Sequence, residues 1–193
     1  MDGKSAPALD KLTGSFLVAT RRMPDPRFEE MVIYICNHSQ EGAMGLAINK
    51  PSYSVTLVEI LRGAGLAVPA EPELLPRVYF GGPVEIASAF ILFSSEYHVD
   101  HQLSVSSTIS LSRNKRVLED ISLGRGPEKY LFLMGYTGWG PGQLEWELAE
   151  DGWLLVPADD SIIFDTDNDQ KWKAAGLRYG IDITTFSDVL GYA

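Results

Sequence analysis

The chain has little of several features that common functions require. It has one cysteine, Cys36, among 193 residues, which excludes an internal disulfide and agrees with a reducing compartment. Its purely apolar runs, such as residues 89–93, are far shorter than the roughly 20 residues of a membrane span. The first residues include no apolar stretch of secretory type. We therefore expect a cytoplasmic protein without a membrane segment.

Basic residues are also scarce. The chain has 16 Lys and Arg against 26 Asp and Glu, which gives a formal net charge of −10. Phosphate backbones attract clustered basic side chains, and the two basic clusters visible here are short, at residues 21–22 and 113–116. No helix-turn-helix or zinc-finger pattern occurs. Direct DNA binding is therefore not expected, and the basic surface of a protein partner suits this charge better.

Motifs that would define a metal or catalytic centre are incomplete. Residues 98–101 include three potential ligands, but structural zinc usually takes four and catalytic zinc takes three plus water. Residues 165–169 resemble the start of a calcium loop, yet Gln170 and Gly176 replace the required glycine and glutamate. No Gly-x-Ser-x-Gly elbow is present. The sequence predicts no metal and no cofactor.

Four residues are secondary candidates for a site. Strand alternation directs Cys36 and His38 to the same face, where they could act as a thiolate and its base. Alternatively, Cys36 is a small core residue and His38 ends the strand. Gly81 and Gly82 follow a strand and could offer amides to an anion. Without a following Lys-Ser/Thr, a structural turn is the simpler interpretation.

Apolar patterning predicts strands and helices that mix without regular alternation, which is typical of an α+β fold. We expect one such domain at residues 13–193, behind a flexible N-terminal arm of residues 1–12. Its helices follow Thr56, Asn114, Pro141 and Asn168 or Asp169. The strands are predicted at residues 14–20, 31–38, 43–49, 78–80, 88–94, 104–112, 130–136, 153–156 and 161–164. The strand at 31–38 is expected to be central, because it is apolar on both faces.

The most informative stretch is residues 135–148, Gly-Tyr-Thr-Gly-Trp-Gly-Pro-Gly-Gln-Leu-Glu-Trp-Glu-Leu, here named the Gly/Trp segment. Four glycines and a proline lie beside two tryptophans. Glycine permits positive φ and close backbone approach, at a cost in unfolded-chain entropy. This composition predicts a shaped backbone with exposed amides beside a stacking surface.

From the Gly/Trp segment we predict a surface that faces a ligand or a partner. Trp139 would supply an aromatic plate, and Gln143 a donor and an acceptor. The amides that begin the next helix would point at the same place. Alternatively, Trp139 plugs the core and the glycines fit a tight bend. The predicted surface comprises Trp139, Gly140, Gly142 and Gln143, with Asp25, Asn49 and Lys50 at its rim.

Four ordered segments resemble one family. They are residues 23–38, beginning Met-Pro-Asp-Pro-Arg-Phe, residues 42–51, Gly-Ala-Met-Gly-Leu-Ala-Ile-Asn-Lys-Pro, residues 78–84, Val-Tyr-Phe-Gly-Gly-Pro-Val, and residues 135–145. Together they resemble the AlgH/YqgE family of small bacterial proteins over residues 13–157. The resemblance implies a mixed, bifurcated sheet that forms a partly barrel-like core with short flanking helices. It implies no reaction, and some members are labelled transcriptional regulators through a link to alginate production.

Three functions from different classes remain open. A binding or regulatory protein acting through a Gly/Trp-rich surface is favoured, because recognition features are present and no catalytic set is complete. Its partner would be a small ligand or another protein. A hydrolase or transferase with a site near Cys36 and His38 is weaker, since Asn37 stands where the family often has glutamate. The third is a transcriptional regulator that acts indirectly.

Overall fold

One curled sheet organises the computed structural model, which describes residues 12–185. Its strands are β1 Ser15–Ala19, β2 Val32–Ser39, β3 Gly42–Ala47, β4 Val78–Phe80, β5 Val84–Ser94, β6 Leu103–Ser104, β7 Ile109–Ser112, β8 Tyr130–Trp139 and β9 Trp153–Pro157. The helices are α1 Leu57–Gly63, α2 Lys115–Ser122, α3 Gln143–Ala149, α4 Asp160–Phe164 and α5 Lys171–Leu177, with 3-10 turns at Pro26–Phe28 and Pro72–Leu74. The predicted arm lies outside the described residues, apart from Leu12, which is buried.

The sheet divides along β8. Its strand order is β6-β7-β5-β8-β3-β2-β1-β9 with antiparallel neighbours, and β4 adds to β8 in parallel. The first part of β8 pairs with β4 and β5, whereas residues 137–139 pair with β3. Gly135 lies at this change of partner with φ +72, where an added Cβ would overlap the carbonyl oxygen of Gly82. The mixed, bifurcated sheet with short helices confirms the predicted α+β class.

Strand β2 is buried on both faces, as its apolar sequence predicts. Tyr34 and Cys36 face an inner cluster enclosed by the curl and by α4 and α5. Ile33 and Ile35 face a second cluster, here named the α3 cluster because α3 covers it. A third cluster packs beneath α1 and α2. Strands β2 and β3 form a hairpin, in which Ser39 pairs with Gly42.

Side-chain caps position the helices much as the sequence predicts. Thr56 and Glu59 form the predicted capping box of α1. Asn114 accepts the Arg116 N–H at the start of α2. Helix α5 begins at Lys171, slightly later than predicted. No helix within residues 12–185 is long and apolar enough to cross a membrane.

Two strand predictions are wrong. Residues 161–164 form α4, because the Asp159 carboxylate accepts the Ser161 N–H at 2.9 Å and caps a helix. A short apolar run does not by itself separate strand from helix. Residues 104–112 form two strands, β6 and β7, because the Ser106 hydroxyl accepts the N–H groups of Thr108 and Ile109 and turns the chain.

Candidate functional site

A β-bulge separates Cys36 from His38. The register between β2 and β3 shifts between Ile35 and Asn37, which leaves Cys36 as the extra residue. Cys36 belongs to the inner cluster, whereas His38 is opposite Ala43, which packs on the α3 cluster. The prediction that Cys36 and His38 share a face is therefore wrong, since the bulge inverts the alternation.

Each of these two residues has its own local environment. Cys36 is completely buried, and this burial raises the pKa of its thiol well above the usual range, so the thiol stays protonated. His38 Nε2 lies 2.8 Å from Glu145 Oε1 on α3. The Glu145 backbone N–H and the His38 ring lower the pKa of the Glu145 carboxyl. Glu145, the carboxylate partner of His38, belongs to the Gly/Trp segment. The sequence did not predict this pairing.

Trp139 lies in the core rather than on the surface. Its side chain is 6% exposed and packs edge-on against Trp153, with ring centroids 6.5 Å apart. The indole N–H groups of both tryptophans donate to Glu147 Oε2, each at 3.0 Å. Gln143 Nε2 donates to Glu147 Oε1 at 3.0 Å. We name this set the Glu147 network. Trp139 therefore plugs the core, the alternative noted above, and offers no aromatic plate to solvent.

The two glycines and the glutamine of the predicted surface are accessible. Gly140, Gly142 and Gln143 are exposed. The Gly140 N–H donates to Gln143 Oε1 at 3.0 Å. Gly142 has φ +72 immediately before α3, a conformation that glycine adopts without strain. These residues shape the entry into α3.

Asn49 and Lys50 line a cleft that includes no residue of the Gly/Trp segment. The Asn49 side-chain oxygen accepts the Val32 N–H at 2.9 Å, and its amide donates to the Glu30 carbonyl at 2.8 Å. Lys50 Nζ donates to the Glu29 carbonyl at 2.7 Å. Both residues fix the backbone that leads into β2, and the structure does not bring them to Trp139.

Gly81 and Gly82 serve a close backbone approach. The Gly81 N–H donates to the Met134 carbonyl at 2.8 Å, and the Gly81 carbonyl accepts the Ala47 N–H at 2.8 Å. An added Cβ at Gly82 would overlap the Tyr136 backbone. The Gly81 amide proposed for an anion is thus occupied within the sheet.

The described histidines and acidic residues form no metal centre. Within residues 12–185, no group of three His, Cys, Asp or Glu side chains is placed to hold an ion. His98 and His101 are exposed loop residues. The acidic run at 165–169 leads into α5 instead of forming a calcium loop.

A cleft of about 370 Å³ lies between α3 and the loop of residues 22–28, and we name it the α3 cleft. Trp153 and Phe28 contact edge-on in its lining, with ring centroids 5.6 Å apart. Trp146 lines it with 64% of its surface exposed. Glu147, from the network above, and Glu150 add carboxylates. The Gly/Trp segment thus contributes two lining residues, Trp146 and Glu147, that the sequence hypothesis did not name.

Local hydrogen bonds set the shape of the 22–28 loop. Asp25 caps the turn that follows by accepting the Arg27 N–H at 3.0 Å, and Pro26 occupies the first position of that turn. The Arg27 guanidinium donates to the same carboxylate at 2.6 Å, which lowers the pKa of Asp25. Thr20 Oγ1 donates to the Asp151 carbonyl at 2.6 Å and ties the start of the loop to the end of α3. Asp25 also lines the α3 cleft together with Trp146 and Glu147 of the Gly/Trp segment.

Comparison with known proteins places the chain in a family. The model of the AlgH-like family matches residues 16–184. The chain belongs to the AlgH-like family. A UPF0301 protein of Desulfotalea psychrophila is 47% identical to this chain over 184 residues, covering 95% of the chain and 96% of the relative. A UPF0301 protein of Ruegeria pomeroyi is 42% identical over 187 residues, covering 94% and 99%.

Two solved structures share the fold. The AlgH protein of Pseudomonas aeruginosa superposes with a TM-score of 0.78 at 36% identity, over 100% of both chains. A protein of Corynebacterium diphtheriae superposes with a TM-score of 0.72 at 20% identity, over 97% of this chain and 94% of its own. The latter likeness concerns the fold alone. These findings confirm the resemblance, and membership in the family assigns no reaction.

Proposed function

We propose that this AlgH-like protein is a binding protein whose ligand or partner docks in the α3 cleft. The observation that carries the proposal is Trp146, which is 64% exposed and lines the same cleft as two carboxylates and the rings of Phe28 and Trp153. Ligand sites typically combine apolar, aromatic walls with a few fixed polar groups in roughly 300–1,000 Å³. The cleft, at about 370 Å³, meets that description.

The construction of the cleft supports the same proposal. One wall comes from residues 22–28, and the other comes from the end of the Gly/Trp segment, from Glu150 and from the start of β9. The Thr20–Asp151 hydrogen bond and the Phe28–Trp153 contact hold these walls together. A site that is formed before binding loses little conformational entropy when a ligand enters.

The proposal assigns any regulatory effect to a bound ligand or protein partner rather than to DNA. Basic side chains from both sequence clusters are paired with carboxylates: Arg22 with Asp151 at 3.3 Å, and Arg116 with Asp120 at 3.0 Å. Such pairing weakens the positive field that a phosphate backbone needs. The cytoplasm remains the proposed location, because a chain with a single cysteine, Cys36, forms no internal disulfide and suits a reducing compartment.

The four tryptophans provide the test. Trp139, Trp153 and Trp172 are each at most 6% exposed, so Trp146 is the accessible reporter. A fragment panel should be added to ¹⁵N-labelled protein while the indole N–H signals are followed. Fragments that bind should shift the Trp146 signal most. The Trp172 signal should shift least, because its indole donates to the Ala19 carbonyl outside the cleft.

Two aromatic substitutions complete the test. Trp146→Ala should abolish the binding of those fragments, whereas Tyr53→Ala should leave it unchanged. Tyr53 is a matched control because it is 86% exposed and lines the cleft of Asn49 and Lys50. Binding that survives Trp146→Ala, or that is lost in Tyr53→Ala, would remove the α3 cleft from the proposal.

A further inference from the structure

We infer that the α3 cleft recognises a planar organic cation, a guanidinium or amidinium group on an apolar body. The inference rests on the proposed function and names the ligand class for the same site. It joins three observations: uncompensated carboxylates, an exposed indole beside them, and apolar walls of a size suited to a small ligand.

The carboxylates of the cleft are unequally compensated. Asp25 is paired with Arg27 at 2.6 Å, and the lining residue Arg22 is paired with Asp151 at 3.3 Å. Glu147 and Glu150 take part in none of the ion pairs among residues 12–185. The cleft therefore contains two carboxylates that have no ion-pair partner among residues 12–185.

Glu147 is held rigidly by neutral donors. A carboxylate has about four acceptor positions. Two indole N–H groups and the Gln143 amide occupy three of them. These donors orient the carboxylate without neutralising its charge, and one acceptor position remains for a ligand. A fixed charge of this kind favours a ligand with a matching N–H donor.

The end of α3 increases the negative potential. Its last turn has no basic residue, although cations are favoured at the negative end of a helix. Glu147 and Glu150 lie near this end, and the Glu150 N–H donates to the Trp146 carbonyl at 3.2 Å. A bound cation would compensate both the carboxylates and the free helix carbonyls.

The indole of Trp146 favours a planar cation. Trp146 and Glu150 are four residues apart on a helical turn, so their side chains neighbour each other. An indole face attracts a cation, and a planar guanidinium-type group can stack on it while donating hydrogen bonds in its own plane. Met23 and Phe28 line the cleft and would contact the apolar body.

Three probes of nearly equal shape separate charge from shape. Benzamidine is a planar cation, benzamide is neutral and benzoate is an anion. Each should be titrated into ¹⁵N-labelled wild-type protein while the Trp146 indole signal is followed. Benzamidine should bind about tenfold more tightly than benzamide, because the latter lacks the charge. Benzoate should bind weakest, and added salt should weaken benzamidine binding.

A charge-neutralising variant locates the effect. Glu150→Gln keeps the side-chain shape and should weaken benzamidine binding several-fold and benzamide binding much less, because benzamide carries no charge. Glu73→Gln makes the same change of charge on the Pro72–Leu74 turn, outside the cleft, and should change neither. Both residues are exposed, so both variants should keep the wild-type melting temperature.

The possible failures are distinct. Equal binding of benzamide and benzamidine at Trp146, or benzamidine binding that is indifferent to Glu150→Gln, would overturn the cation inference and leave the proposed function standing. The cation inference also falls if none of the three probes shifts Trp146 although fragments do. If neither the probes nor the fragments shift Trp146, both proposals fall.

Discussion

Trp139 and Trp146 belong to one short segment but occupy opposite environments. Trp139 ends β8 and is 6% exposed, whereas Trp146 lies on the outer face of α3 and is 64% exposed. The first stabilises the α3 cluster, and the second lines a cleft. Glu147 connects the two environments, since it accepts from buried indoles and lines the cleft. The contrast teaches that composition does not distinguish the two tryptophans, whereas backbone geometry decides which of them is accessible.

The largest effect is expected where the contrast is strongest. Trp139→Ala should lower the free energy of unfolding by about 3–5 kcal/mol, because it removes a buried aromatic side chain and leaves a cavity. Trp146→Ala should change it by less than about 0.5 kcal/mol. Urea denaturation of both variants measures the difference. Equal stability of the two variants would contradict the assignment of Trp139 to the core.

Glu147 and Glu150 differ in the same way, since Glu147 accepts hydrogen bonds from two buried indoles whereas Glu150 is exposed. Glu147→Ala should destabilise the fold by about 1–3 kcal/mol, because the Trp139 and Trp153 indole N–H groups lose their acceptor. Glu150→Ala should have an effect below about 0.5 kcal/mol, since Glu150 is exposed. Thermal unfolding compares them. A Glu147→Ala variant as stable as the wild type would show that the network contributes nothing.

Lys171 and Lys173 form a third pair of one buried and one exposed side chain, and the buried member should make the stability depend on pH. Lys171 is buried, and Nζ donates to the Ile48 and Ile163 carbonyls at 2.9 and 2.8 Å. Burial lowers its pKa from 10.5 to about 8. Between these two pKa values the unfolded chain binds more protons than the folded protein, so a rise in pH favours the folded state. The stability attributable to Lys171 should therefore rise by about 1 kcal/mol from pH 7 to pH 9.

Two lysine variants test this sign. Lys171→Met should remove the rise with pH, whereas Lys173→Met, on the exposed face of α5, should retain it. Urea denaturation at pH 7 and pH 9 gives the four differences needed. The pKa assignment is contradicted if the stability gap between wild type and Lys171→Met stays constant with pH.

Among the residues of the Glu147 network, Gln143 should give the smallest loss of stability. Its side chain is exposed but accepts the Gly140 N–H and donates to Glu147. Gln143→Ala should cost about 0.5–1 kcal/mol, measured as a slightly lower melting temperature. Gln170→Ala is the control, because Gln170 precedes α5 without a side-chain cap. A loss as large as that of Glu147→Ala would make Gln143 a principal support of the network.

Much of the fold could be predicted from local signals. Apolar density located β2 and β8, and capping side chains located α1 and α2. The bulge at Cys36 could not be predicted, because it depends on how β2 pairs with β3 rather than on the sequence of β2 alone. The four-residue run at 161–164 was ambiguous between strand and helix until its cap at Asp159 was known.

The structure brings together only some of the residues that the sequence predicted to share one surface. The Gly/Trp segment and Asp25 do meet at one cleft, whereas Asn49 and Lys50 lie in another. The exposure of Trp146 had a usable signal, since a helix with Leu144 and Leu148 inward directs Trp146 outward. The part played by Glu147 had none, because its partners come from β8 and β9.

The divided pairing of β8 has a consequence for how the chain folds. Ala43 in β3 pairs with Trp139 in β8, and β8 is synthesised much later than β3. Until then, β3 presents an unpaired edge, and such edges favour aggregation. Long-range pairing of this kind also slows folding. We therefore expect chains truncated before β8 to aggregate. We also expect the pairing of β8 with β3 and β5 to limit the rate of refolding.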